Sequence, residues 1–323
     1  FASLPETDHT RLLLALADHR RATRDGWWEV GIAFRNLEDD YDFDRRTRES
    51  GTPGSFEHET RSVSVAVTGM QRAAGLDWHF SGQFTADRLL RSTDLTEGDF
   101  NSRSFGMIGV APEARWQMSS GSAFALRAGL RADFSNSDEN AVAPLLRLSW
   151  EQTGGSTVKS FDVEYSRTTQ LPGYTALNSR PDGLFGGNAD LGREYADTLK
   201  VGFSRETAST SLNASVFHRR DDDLVDWTYL GGAPYARQAN PVDIDVNGVE
   251  TFLRWRGDRF ELIAGYTWLD KDADYGSADV DASYYALNFA RHRVTLAVTW
   301  QPIESLNLRL DNAWRVHEAV SYT

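Results

Sequence analysis

The 323-residue sequence has no cysteine, which removes disulfides and thiolate metal sites together. It also lacks any long apolar run. The longest aliphatic stretch is Leu12 to Ala17, far short of the roughly 20 residues that a helical membrane span requires. No stretch keeps a 3.6-residue apolar period for three turns, so helices do not organise the chain. Basic residues are in the minority, 34 against 47 acids, for a formal charge of −13. With no basic cluster, nucleic acid is excluded as the partner. Disorder is excluded by aromatic residues at 12%. Phe1 to Thr10 has neither the basic start nor the apolar core of a signal peptide. Val320 to Thr323 end in mid-pattern, and the chain is expected to be a fragment of a longer one at both ends.

What is present is period-2 alternation, the mark of strands with one apolar face. Trp28, Val30, Ile32 and Phe34 alternate with Glu29, Gly31, Ala33 and Arg35; Leu12, Leu14 and Leu16 alternate with Leu13, Ala15 and Ala17. The same pattern recurs at Val63–Thr68, Phe124–Asp133, Arg293–Trp300 and Leu306–Asp311. Such runs predict an all-β chain of about fourteen strands. Their connections alternate between short turns, such as Ala22–Gly26 and Gln71–Gly75, and mostly long segments. The long ones are Leu37–Glu59, Asp87–Ser102, Leu171–Glu194, Asp221–Asp245 and Asp270–Arg291. Short turns at one end and long loops at the other predict a transmembrane antiparallel up-and-down barrel rather than a sandwich.

Tryptophan gives an independent indication. Six of the ten, Trp28, Trp78, Trp116, Trp150, Trp255 and Trp300, lie beside a short turn on the apolar parity of their strands. Indole rings in one belt are expected at a membrane–water interface. The opposite parity carries Glu29, Asp77, Arg115, Arg127, Arg131, Asp133, Arg147, Asp162, Glu164, Asp197, Lys200, Glu250, Arg254, Arg309 and Asp311, as a hydrated lumen or an enclosed plug would require. Three long connections, Leu37–Glu59, Arg219–Asp245 and Asp270–Ala282, hold nearly all of the net charge. They read either as an acidic vestibule for cationic ligands or divalent ions, or as solvated loops.

Several stretches then combine. Leu171-Pro172-Gly173-Tyr174 leads to Gly187-Asn188-Ala189-Asp190-Leu191-Gly192-Arg193-Glu194; Asn247-Gly248-Val249-Glu250, Tyr266-Thr267-Trp268-Leu269-Asp270 and Ala290-Arg291-His292-Arg293 follow in order. Together they make residues 171–323 resemble the barrel of TonB-dependent outer-membrane receptors. The motif residues are Asn188, Asp190, Leu191, Glu194, Gly248, Val249 and Glu250, with Ala189 and Arg193 standing where the family usually has proline. The resemblance implies a barrel of about 22 strands enclosing an N-terminal plug. This chain would cover roughly its sixth to nineteenth strands, residues 1–323 forming one partial barrel domain. It also implies a Gram-negative outer-membrane receptor that imports a ferric siderophore, cobalamin or glycan. Its partners would be outer-membrane lipid, its own plug, the TonB complex acting through that plug, and an extracellular nutrient.

No catalytic constellation emerges, and neither a cofactor nor a resident metal is expected. The seven histidines form no H-x-x-x-H or H-E-x-x-H pair, and no G-x-S-x-G elbow or phosphate loop occurs. Ligand-contact candidates are Trp227, Tyr229, Tyr235 and Arg237 in one long connection, and Tyr284, Tyr285 and Phe289 in another. Aromatic and Arg side chains dominate recognition surfaces, though they can equally pack loops together. A self-contained porin-like or fatty-acid-channel-like barrel and a soluble polysaccharide-binding β-protein are the competing readings.

Overall fold

The computed structural model describes residues 6–42, 55–93, 95, 101–119, 121–180, 185–229, 237–276, 280, 282–283 and 289–317. Its strands are β1 (Thr7–Thr23), β2 (Gly26–Asp42), β3 (Phe56–Ala73), β4 (Leu76–Ser92), β5 (Ser102–Ser119), β6 (Ser122–Ser135), β7 (Ala141–Gly154), β8 (Thr157–Gln170), β9 (Phe185–Gly186), β10 (Glu194–Glu206), β11 (Thr210–Tyr229), β12 (Arg237–Arg256), β13 (Phe260–Asp274), β14 (Ala282–Ser283), β15 (Ala290–Ile303) and β16 (Leu306–His317). A single-turn helix, α1 (Tyr174–Asn178), precedes β9. Leaving aside the two-residue β9 and β14, the strands form one antiparallel meander in chain order, β1 at one edge and β16 at the other. The fourteen strands on this path are those anticipated from the alternation. No pairing joins β1 to β16 among the described residues, so the sheet is open.

The short connections are tight because their residues permit it. Between β3 and β4, Ala74 and Gly75 both take positive φ (53° and 78°), matching the twist of the flanking strands as a two-residue hairpin turn should. At the other end the strands run further than expected. β2 continues to Asp42, β11 to Tyr229, β12 begins at Arg237, and β13 reaches Asp274. The described parts of segments read as long connections are therefore mostly strand. Their alternation is hidden because above an apolar band both faces meet water, and neither face need be apolar.

Directly paired residues share a face, so the register sorts the side chains. Asp87 of β4 pairs with Arg103 of β5, and both contact the connection between β8 and β10 through Tyr174 and Pro172. That connection also reaches β12, where β9 pairs in parallel with Arg237 and Gln238. Ser179, bridged to Leu95 just beyond β4, and Phe185 are at most about 21 Å apart by chain length. Along the sheet, β4 and β12 are seven strand steps apart, roughly 33 Å at the usual spacing. The sheet therefore curves, and residues 171–180 and 185–194 lie on its concave side.

The inward face is charged and internally paired. Glu113 meets Arg127 (2.7 Å) and Arg115 (3.2 Å), Arg147 meets Glu164 (3.7 Å), and Lys200 meets Glu250 (3.8 Å). The outward face is apolar, with Ile32, Val65, Phe84, Ile108, Leu130, Leu148, Val216 and Leu310 all exposed. Two assignments differ from the parity reading. Asp197 shares the outward parity of Leu199; its carboxylate accepts from Arg167 (2.6 Å) and Tyr165 (2.6 Å) on that face. It stands near the far end of β10, where the apolar band has ended. Leu12, Leu14 and Leu16 point inward, because Leu14 lies in the row of Arg35, Ser62 and Asp87. β1 is aliphatic on both parities, so alternation could not orient it.

Candidate functional site

The long-connection end carries a built structure. After α1, the chain returns through a turn made by the Asn188 motif. Asn188 N–H donates to the Ala176 carbonyl (2.7 Å) and its Oδ1 accepts from Asp190 N–H (3.0 Å), while Gly187 N–H donates to Ser179 (3.0 Å). Only glycine fits at 187, since a Cβ would sit 2.7 Å from Ser179 N. Leu191 N–H reaches the Asn188 carbonyl (3.4 Å), and the turn delivers Glu194 as the buried first residue of β10. Further on, Gly248 lies beneath the Phe217 ring, where a Cβ would come within 2.2 Å of it, and Val249 and Glu250 continue β12.

A cap forms above the wall. β11 and β12 extend as a hairpin past an irregularity between Asp221 and Leu224, where Asp223 has φ 57°. β14 pairs with one edge of the hairpin and β9 with the other. Trp227, Tyr229 and Arg237, anticipated as loop residues, are strand residues of this four-stranded unit. They do come together. The Arg237 guanidinium lies over Phe185 (5.1 Å) and Tyr229 (6.0 Å), and Phe185 meets Trp227 edge-on at 5.2 Å and 81°. Phe185 had no distinguishing signal, because it comes from a different connection and is placed by β9 alone. Beneath this group Asp226 is fully buried. Its carboxylate accepts from Trp227 N–H (2.8 Å) and the Tyr275 hydroxyl (3.1 Å). Phe289, just before β15, is separate; Lys271 Nζ lies 4.8 Å from its ring centroid. Tyr235, Tyr284 and Tyr285 lie outside the described residues.

The inward side below holds two charge clusters. Glu194 is pushed up to about 7, chiefly by burial, with the Val225 N–H and Arg219 opposing and Asp221 adding to the rise. Lys271 is held below the usual amine range by burial. The second cluster lines a recess of about 370 Å³ between β4–β6 and the inward connection. Arg103 pairs with Asp87 (2.9 Å), to which the Tyr174 hydroxyl also donates (2.5 Å). Arg131 pairs with Asp133 (2.8 Å), and Arg193 completes the lining. No group of three or more His, Asp or Glu suited to a metal ion occurs among the described residues.

At the opposite end, the tryptophans lie on the outward face near the short turns. Trp116, Phe124, Trp150, Phe161 and Phe203 form one continuous cross-strand row from β5 to β10. Trp300 stacks on Phe260 (5.8 Å, 7°). Trp28 and Trp78 belong to adjoining rows across β2–β4, and Trp255 pairs with Leu262.

The family of TonB dependent receptor-like β-barrels matches residues 4–323. No curated protein sequence is matched. Among solved structures, the ferric enterobactin receptor of Pseudomonas aeruginosa is similar at 16% identity and a TM-score of 0.67, over 96% of this chain and 50% of that one. The siderophore receptor PirA of Acinetobacter baumannii is similar at 11% identity and 0.66, over 95% and 50%. The ferric yersiniabactin uptake receptor of Yersinia pestis is similar at 12% identity and 0.61, over 95% and 49%. The chain thus spans about half the length of the structures it matches.

Proposed function

The chain belongs to the TonB-dependent receptor β-barrel family, and we propose that it forms part of the wall of an outer-membrane receptor that imports a scarce, large nutrient. A ferric siderophore, cobalamin or glycan fits this role; siderophore receptors stand among its structural neighbours. The observation that carries the reading is the inward connection between β8 and β10, which spans from β4 to β12 and supports a cap bearing Trp227, Tyr229, Arg237 and Phe185. In a receptor, such a segment supports a surface that holds ligand at its mouth. Energy reaches such a receptor from the TonB complex through the plug, and the charged inward wall is the face that a hydrated plug would meet. The aromatic row and Trp300 occupy the lipid–water interface at the short-turn end. Tyr235, Tyr284, Tyr285 and Phe289 are further ligand-contact candidates by residue type alone.

The test is uptake by cells carrying the complete gene. Deleting the gene should abolish growth on one member of a panel of iron chelates, cobalamins and glycans, and so should loss of TonB. Trp227→Ala with Arg237→Ala should weaken ligand binding at least about tenfold, as truncated recognition anchors do. Transport that persists without TonB, with ohmic conductance in planar bilayers, would sink this reading in favour of a passive channel.

A further inference from the structure

Arg193 is a buried cation with no carboxylate in contact with it among the described residues. It is 7% exposed; Nη1 donates to Thr169 Oγ1 (3.2 Å), Nη2 donates to the Glu139 carbonyl (2.9 Å), and Nε has no acceptor among the described residues. Thr169 in turn donates to Asp133 Oδ2 (2.8 Å), but that carboxylate is already paired with Arg131. Arg193 thus reaches a carboxylate only through Thr169, while Arg131 is paired with Asp133 and Arg103 with Asp87. Of these three cations, Arg193 alone has no directly paired carboxylate among the described residues. A buried charge held only by neutral acceptors is costly, and an anion seated beside it removes that cost.

We propose that Arg193, with Arg131 and Arg103, forms an oxyanion subsite that takes a carboxylate or phosphate group of a small ligand. The inference rests on reading this chain as the wall of an uptake receptor, and it names the chemistry of the group presented there. Arg193 Nε is a donor without an acceptor among the described residues. The Arg103 and Arg131 forks already hold Asp87 and Asp133. They add positive field and their remaining N–H groups, a donor set that suits a carboxylate or phosphate better than a halide. Phe105 and Met107 supply an apolar wall and Gln83 a further polar contact. At about 370 Å³ the recess has the volume of about a dozen waters, enough for an acidic group with a short stem. Arg193 stands at a motif position where the resembled family usually has proline, so the site is a property of this chain rather than of the fold.

Isothermal titration of the purified full-length receptor with sodium phosphate, sodium succinate and uncharged succinamide, at constant ionic strength, tests the proposal. Both anions should bind and succinamide should not. Arg193→Gln and Arg193→Pro should each weaken anion binding at least about tenfold, the usual loss for a charge-assisted hydrogen bond. Arg309→Gln, on the edge strand β16 and outside the lining of the recess, should leave it unchanged. Because phosphate stabilises proteins generally by exclusion from their surface, the melting temperature should rise more in phosphate relative to chloride for the unmodified receptor than for Arg193→Gln; equal rises count against the subsite. Absence of binding by both anions, or affinity unchanged in both Arg193 variants, overturns the subsite. Anion binding that survives where TonB-dependent uptake is absent would overturn the receptor reading alone.

Discussion

Replacing Glu194 by Gln isolates the energetic consequence of a buried carboxyl at the head of β10. The substitution keeps the side chain's length and a carbonyl oxygen for the Val225 N–H, but cannot carry charge. In the folded protein the carboxyl is pushed up to about 7, first by burial and then by Asp221, against the opposing Val225 N–H and Arg219. In the unfolded chain its value is about 4.3. Because the folded value is the higher one, the neutral form is favoured in the folded state. The stabilisation is full below the unfolded value and is lost as pH rises through about 7. At about 1.4 kcal/mol per unit the gap is worth at most about 4 kcal/mol. Relaxation and water access should reduce this to about 1–2 kcal/mol. Denaturant unfolding of the detergent-solubilised receptor, followed from about pH 5 to about pH 8.5, reads it directly. The unmodified protein should lose stability across that window, and Glu194→Gln should lose less by the same 1–2 kcal/mol or so. At the alkaline end the variant should be the more stable of the two. Parallel pH profiles, or a variant less stable at alkaline pH, would refute the reasoning.

Three further outcomes follow from the geometry. Gly248→Ala places a Cβ within 2.2 Å of the Phe217 ring and should cost about 1–3 kcal/mol by overpacking; adding Phe217→Leu should recover part of that loss in the same unfolding assay. Tyr174→Phe removes the hydroxyl that donates to Asp87 while leaving Arg103 paired; it should cost about 1.5–3 kcal/mol and lower amide-exchange protection at Leu177 and Ser179, with unchanged protection counting against the anchoring role. Brominated lipids should quench tryptophan emission, and Trp116→Phe with Trp150→Phe should reduce the quenched fraction; emission insensitive to the lipid would remove the interfacial belt.

The fold was largely legible in the sequence because a barrel wall repeats one rule. Alternate side chains face opposite media, and the turns on one side must be short, so strand count and direction follow from local pattern. The same rule explains the misses. Asp197 was assigned inward because charge usually marks the inner face, yet it lies beyond the apolar band, where water wets both faces. β1 could not be oriented, since Leu12 to Ala17 are apolar on either parity. The charged ends of β2, β3, β11, β12 and β13 read as loops for want of an apolar partner face.

The site was legible only in part. Trp227, Tyr229 and Arg237 could be chosen by residue type, and the Asn188 motif by its order, because both are local properties of the chain. Phe185 joins them only because β9 crosses to β12, and such a crossing leaves no local trace. The same holds for Arg193. In the sequence it is a departure from a motif beside Glu194. Its burial, its lack of a directly paired carboxylate and its position beside Arg103 and Arg131 exist only once residues 171–180 and 185–194 lie on the concave side of the sheet. Alternation and turn length are nearest-neighbour effects, so the sequence by itself determined the wall: an antiparallel meander with an apolar outside and a charged inside. Desolvation and charge pairing depend on which distant strands meet, so the tertiary structure alone decided the cap and the setting of Arg193 in the recess.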